Sequence, residues 1–145
     1  MEQRVSVITL GVKDLDLSRR FYVEGLGWTP AAQVEGEVIF FNLGPGLVLG
    51  LYAHLAQDAA IPGRGPGLSS ISQNVREKDE VDRLLSEAQH AGGVVTQPAR
   101  DTDWGGRSGY FADPDGHLWE VAWNPHWPVD EAGRVQIPIK PAGAL

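Results

Sequence analysis

The stretch Gly109-Tyr110-Phe111-Ala112-Asp113-Pro114-Asp115-Gly116-His117-Leu118-Trp119-Glu120-Val121 decides the fold. Apolar and aromatic residues lead into Asp-Pro-Asp-Gly and alternating residues lead out, which predicts a strand, a tight turn and a returning strand. On the returning strand Glu120 has the parity opposite to Trp119 and Val121, so the glutamate faces one side of the sheet and its neighbours the other. A carboxylate so placed is paired, lies in a water-filled cavity, or ligates a metal.

Working outward, residues 94–97, 108–112 and 118–123 read as strands, and 68–75 as an earlier one. Between them, residues 78–91 carry the helical stripe Val81, Leu84, Leu85, Ala88 and Ala91, with acids at its start and Gly92-Gly93 at its end. The stretch 61–67 is rich in Gly and Pro and has no periodicity, so it reads as a linker. Before it the same order occurs. Residues 5–12 form a strand, and Asp14 caps a helix through Leu15, Phe21, Tyr22 and Leu26, stopped by Gly25 and Gly27. Residues 28–34 and 37–43 form a hairpin around Glu35-Gly36, and 47–52 a further strand. The chain is thus an internal duplication, β-α-β-β-β twice. The first module takes residues 4–60, the linker 61–67, the second module 68–124, and a Pro-rich tail 125–145 lies over a surface.

Composition bounds the function. The chain has 145 residues, 42% of them hydrophobic, enough for one domain built from two halves that share a core. A net charge of -7 without any basic run argues against nucleic acid and anionic membranes. Cys is absent, which removes disulfides, thiol nucleophiles and thiolate metal sites. No apolar run approaches the ~20 residues of a membrane helix, and Met1-Glu2-Gln3-Arg4 lacks the layout of a signal peptide, so the cytoplasm is the expected compartment. The glycines at 44, 46, 63, 65 and 67 are interrupted by prolines and lack a following Gly-Lys-Ser/Thr, so they form no phosphate loop; no Gly-x-Ser-x-Gly elbow occurs either.

Thr9-Leu10-Gly11-Val12-Lys13-Asp14-Leu15, Ser18, Phe21-Tyr22 and Leu26-Gly27-Trp28, together with the run 109–120, resemble the vicinal oxygen chelate superfamily. This superfamily includes glyoxalase, extradiol dioxygenases, fosfomycin-resistance enzymes and bleomycin-resistance proteins. The resemblance covers residues 4–125 and implies an α+β fold, two tandem βαβββ modules forming a curled mixed sheet around a cavity. It also implies four ligand positions in metal-dependent members, on the first and last strands of each module. Here those positions hold Val7, Gly50, Ser70 and Glu120, of which Glu120 alone is a ligand type. A divalent metal needs three or four His or carboxylate donors. The expectation is therefore a metal-free protein without a cofactor, closer to the bleomycin-resistance branch than to glyoxalase.

Parity places Val7, Thr9, Gly50, Tyr52, Ser70, Ser72, Asn74 and Glu120 on the cavity side. Glu120 is either a general base or anchor for a cationic ligand, or a relic bonded to Ser70, Ser72 or water; burial would raise its pKa toward neutrality. His54 shares parity with Gly50 and Tyr52 and is a polar ligand contact, an unusual metal donor beside Glu120, or an exposed residue at a strand end. Trp104, in the polar glycine-rich loop 101–107, is a stacking platform at the cavity mouth or a plug of the hydrophobic edge. Arg107 clamps a ligand carboxylate or pairs with Asp101 or Asp103. Trp119 and Trp123 belong to the sheet–helix core, and Trp28 is structural.

These readings converge on a metal-free binder of a small organic ligand, a homodimer resembling sequestering antibiotic-resistance proteins, with no nucleic-acid or membrane partner. The alternative is a lyase, isomerase or dioxygenase-like enzyme that uses Glu120 as base or residual metal ligand, with Arg107 or Asn74 polarising a carbonyl.

Overall fold

The computed structural model describes residues 1–61, 63, 67–112, 116–135 and 137–138. Asp113-Pro114-Asp115 of the turn, most of the linker and the end of the tail lie outside the described residues. Among the described residues eight strands form one open, curled sheet: β1 (Val7–Gly11), β2 (Ala32–Val34), β3 (Val38–Gly44), β4 (Leu47–Tyr52), β5 (Ser69–Asn74), β6 (Val94–Asp101), β7 (Arg107–Ala112) and β8 (Leu118–Trp123). Their spatial order is β2-β3-β4-β1-β5-β8-β7-β6. β1 and β5 pair antiparallel at the centre, with Thr9 opposite Ser70 and Val7 opposite Ser72. Each is flanked in parallel by the last strand of its own module, β4 on β1 and β8 on β5. The fold is two βαβββ modules related by a local twofold between β1 and β5.

Both long connections cover the convex face. Helix α1 (Leu15–Arg19) starts where Asp14 Oδ1 accepts the backbone N–H groups of Asp16 and Leu17 at 3.0 and 3.1 Å. It continues as a widened π-helical turn, Arg20–Gly25, closed by Leu26 N–H donating to the Phe21 carbonyl. That turn brings Tyr22 against Trp28 and Phe41, with ring centroids 5.3 and 5.9 Å apart, and leaves Phe21 60% exposed. Beneath it lie Ile39, Phe41, Leu49 and Leu51. Helix α3 (Glu80–His90) presents Val81, Leu84 and Leu85 to Phe111 and Val121, with Trp119 and Trp123 packed around them. Gly92, at φ +102°, ends it in a conformation that favours glycine.

Helix α3 approaches β7 so closely that Gly109 has no room for a side chain. A Cβ there would strike Leu85 Cδ1 and stand 2.9 Å from the Gln97 carbonyl oxygen. Gly109→Ala is therefore expected to lower stability by about 1–3 kcal/mol through overpacking. A urea midpoint that falls with an unchanged m-value would show it, and an unshifted midpoint would mean the helix yields freely.

Three elements differ from the sequence expectation. β6 extends to Asp101, twice the expected length, because it is an edge strand where Pro98 removes no needed ladder bond; its register shifts between Gln97 and Arg100. A short helix α2 (Leu55–Asp58) follows β4 directly. The tail, expected to lie over a surface, is firmly seated. Trp127, Val135 and Ile137 are buried with Val7, Ala32 and Val48 on the concave face of module one. A bridge between Val129 and Val135 shapes this segment, and Arg76 pins it by donating to the carbonyl oxygens of Asp130 and Glu131.

Candidate functional site

The concave face carries the polar row of the sheet. Cross-strand partners share a face, so the pairs Val7–Ser72, Thr9–Ser70, Thr9–Gly50, Ser72–Glu120 and Tyr110–Glu120 bring these side chains to one side. The local twofold relates Gly50, paired with Thr9, to Glu120, paired with Ser72. Val7 corresponds to Ser70 in the same way. The four positions that the resemblance assigns to a metal site are thus on one face, with valine, glycine and serine at three of them. Among the described residues no group of three or more His, Cys, Asp or Glu side chains is placed to hold a metal ion. The donor set does not fit a divalent cation.

Two covers border this face. On the module-one side the tail lies over Val7, Val48 and Phe40. At the other end α2 packs Leu55 and Ala59 against Tyr110 and Leu118, with Tyr52 alongside. Glu120 sits part-buried with module two's strands beneath it. Ser72 Oγ donates to its Oε2 at 2.9 Å. Burial pushes its carboxyl up to about 7, and the negative charge of Asp58 acts in the same direction; hydrogen bonds from Ser72 and Tyr110 oppose them. The Tyr110 hydroxyl stands between two carboxyls. It donates to Asp58 Oδ2 at 2.8 Å and reaches Glu120, and its single hydrogen serves one of them at a time. Burial, then the charges of Glu120 and Asp58, holds the Tyr110 phenol well above its usual range. The same causes push Tyr52 up to about 12. Asp58 is itself bonded to Arg100.

Ser70 is 1% exposed, and its Oγ has no hydrogen-bond partner among the described atoms. A buried hydroxyl without a partner costs free energy that a ligand atom or a water would recover. Asn74 is buried one alternation further along β5, its backbone tied to Ser6 and Arg4.

The other sequence candidates fall differently. His54 is exposed at the end of β4, its ring edge toward Tyr52 with centroids 6.1 Å apart. Trp104 is 42% exposed and folds over Gly106, where any Cβ would collide with its ring. Because Gly106 alternates with Arg107, this puts the indole on the Glu120 side at the far end of β7. Arg107 points the other way. It bonds Asp82 of α3 at 2.7 and 2.8 Å and Asp101 at 3.0 Å; its bonds hold Asp82 below the usual carboxylate range, and Lys78 together with Arg107 does the same for Asp101. The structure thus gathers Tyr52, Ser70, Ser72, Asn74 and Glu120 on one face, sets His54 and Trp104 at its ends, and separates Arg107 from it. Asp58 and Phe40 border the site without having been singled out in the sequence. Tyr110 had a usable signal, since it lies three residues before the Asp-Pro-Asp-Gly stretch and Glu120 four after it, close to the spacing at which two strands of a hairpin pair.

The sequence matches the family model of the Glyoxalase/Bleomycin resistance protein/Dioxygenase superfamily over residues 4–121. Among solved structures, a glyoxalase-related enzyme from Fulvimarina pelagi is 41% identical, with 94% of this chain and 99% of that chain covered and a TM-score of 0.49. A protein described as an NAD-dependent benzaldehyde dehydrogenase from Legionella pneumophila is 24% identical, with 81% and 97% covered and a TM-score of 0.65. A superfamily member from Vibrio splendidus 12B01 is 19% identical, with 83% and 98% covered and a TM-score of 0.54. The last two likenesses show the fold alone. No curated protein matches the chain. No helix among the described residues is long and apolar enough to cross a membrane.

Proposed function

The chain belongs to the glyoxalase/bleomycin resistance protein/dioxygenase superfamily, and we propose that it binds a small organic molecule on its concave face without a metal ion. One observation carries this reading. The four positions that converge there offer a single carboxylate, Glu120, and a single hydroxyl, that of Ser70, with the Ser72 hydroxyl beside Glu120. Such a surface recognises a ligand by hydrogen bonds. In this reading the protein is a sequestering binder of the bleomycin-resistance kind, a cytoplasmic homodimer, in keeping with its motifs.

Equilibrated with Zn, Ni, Mn or Fe(II) and then desalted, the protein is expected to retain far less than one equivalent of metal by elemental analysis. Near-stoichiometric metal that Glu120→Gln abolishes would overturn the reading. A bound organic ligand, in contrast, raises the melting temperature with the logarithm of its concentration.

A second reading, an enzyme, is favoured by the position of the Glu120 carboxyl at about 7, where a base is poised for proton abstraction near neutral pH. Glu120 would take the proton, Ser72 would steady the carboxylate, and Asn74 would polarise a carbonyl. Glu120→Gln would then abolish turnover and leave binding nearly intact. Turnover that persists in this variant removes Glu120 as the base.

A further inference from the structure

We propose that the C-terminal segment makes the concave face selective for a ligand with a flat aromatic body. Phe40 would hold that body at one end, and Glu120 and Ser72 would accept a hydrogen-bond-donating group at the other. The proposal rests on the small-molecule reading above and specifies its ligand class.

The local twofold would give the face two equivalent halves, and the structure makes them unlike. In module two the position facing Ser72 is Glu120. In module one the matching position, facing Thr9, is Gly50, and the missing side chain is replaced by a ring. A Cβ on Gly50 would stand 3.1 and 3.3 Å from two carbons of Phe40, and 3.5 Å from Thr9 Oγ1. Phe40 therefore leans over the strand into the place a side chain would take. Trp127 holds it there. The two rings meet edge to face, with centroids 4.8 Å apart and planes at 84°. Trp127 is 8% exposed, and Val135 and Ile137 complete the layer behind it. Asn42 Nδ2 donates to the Ile137 carbonyl at 3.5 Å. Phe40 itself stays partly exposed. One edge of its ring is fixed by the tail and the strand, and the remaining surface is an apolar wall at the border of the polar row.

From that wall the sequence of groups along the face is Thr9, Ser70 with its unpartnered Oγ, then Ser72 and Glu120. The charge that acts on Glu120 comes from Asp58, whose cation Arg100 is already bonded to it. The Glu120 carboxyl and the serine hydroxyls accept hydrogen bonds from an N–H or O–H group, and the carboxylate charges of Glu120 and Asp58 repel an anion. An aromatic ring bearing such a donor satisfies both ends at once.

The test is an NMR titration with three probes of one size: benzamide, cyclohexanecarboxamide and benzoate. Benzamide is flat and carries N–H donors, cyclohexanecarboxamide keeps the donors on a puckered ring, and benzoate keeps the ring but is anionic. Benzamide is expected to shift the Phe40 ring and Glu120 side-chain resonances and to bind about tenfold tighter than either of the others. Phe40→Leu should remove the preference over cyclohexanecarboxamide while that probe binds as before. Equal binding of benzamide and cyclohexanecarboxamide, both weakened by Glu120→Gln, would overturn the aromatic wall and leave the small-molecule reading standing. Benzoate binding as tightly as benzamide would overturn the donor end. Benzamide that fails to bind, or that shifts other resonances only, would overturn the proposal entirely.

Discussion

Replacing Glu120 with Gln is expected to raise the melting temperature by several degrees at about pH 8 and to leave it nearly unchanged at about pH 4. Burial raises the folded-state pKa of Glu120 from 4.5 to about 7. Below 4.5 the group is protonated in folded and unfolded chains alike and has no effect on their balance. Between 4.5 and 7 the unfolded chain releases its proton while the folded one keeps it, so stability falls as pH rises; above 7 the loss is constant. The full loss is about 3 kcal/mol. Gln keeps the shape and an acceptor for Ser72 without the ionisation, so the variant escapes that loss. Other carboxyls run the opposite way. Glu2, Asp82 and Asp101 are held low, Asp82 by Arg107 and Glu2 by Arg4 and Arg76, and their contributions vanish as pH falls. They are the same in both proteins, so the difference between the two melting curves isolates Glu120. A gap that does not vary with pH would mean the carboxyl titrates as an ordinary surface glutamate, and the enzyme reading would lose its base.

A residue that lowers stability at neutral pH while sharing a face with the unpartnered Ser70 hydroxyl is what a functional position looks like in energetic terms. The same logic explains why Arg107 is a poor candidate. Its guanidinium is held by Asp82 and Asp101, and releasing it toward a ligand would strip Asp82 of the guanidinium that holds it and leave Asp101 to Lys78.

Much of this was legible from side-chain alternation. Strand parity on β8 placed Glu120 opposite Trp119 and Trp123, and the two tryptophans do pack around α3. Parity on β4 and β5 placed Tyr52, Ser70 and Ser72 beside the glutamate, because central strands have a fixed period of two. Asp14 announced the start of α1, since a capping carboxylate needs only the next three residues to act. The parts not legible depend on contacts distant in sequence. Asp58 meets Tyr110 across 52 positions, from a four-residue helix too short to show a period. Arg107 looked available because its loop is polar, but its pairing with Trp123 puts it on the helix face. The tail reads as Pro-rich and irregular, because its apolar residues are spaced to meet a curved sheet and follow neither strand nor helix period.

That tail makes the second large prediction. Trp127→Ala is expected to cost about 3–5 kcal/mol, the range for deleting a large buried aromatic. Against a total stability of about 5–15 kcal/mol this removes a large share. Trp127 is 8% exposed and packs on Phe40, while Val135 and Ile137, at 1% and 3%, share its cluster with Val7 and Val48 of the central strands. Its loss leaves a hole against strands that pair across the module boundary, and Arg76 holds the neighbouring Asp130 and Glu131 in place, so the segment has little freedom to collapse into the space. The matched control is Trp104→Ala, the same deletion at a side chain 42% exposed, which should cost well under half as much. Urea unfolding followed by circular dichroism decides between two pictures of the tail. A loss of about 1 kcal/mol or less at Trp127 would make the tail a loose cover. The larger loss would make it part of the core, with Phe40 fixed at the edge of the site as a consequence.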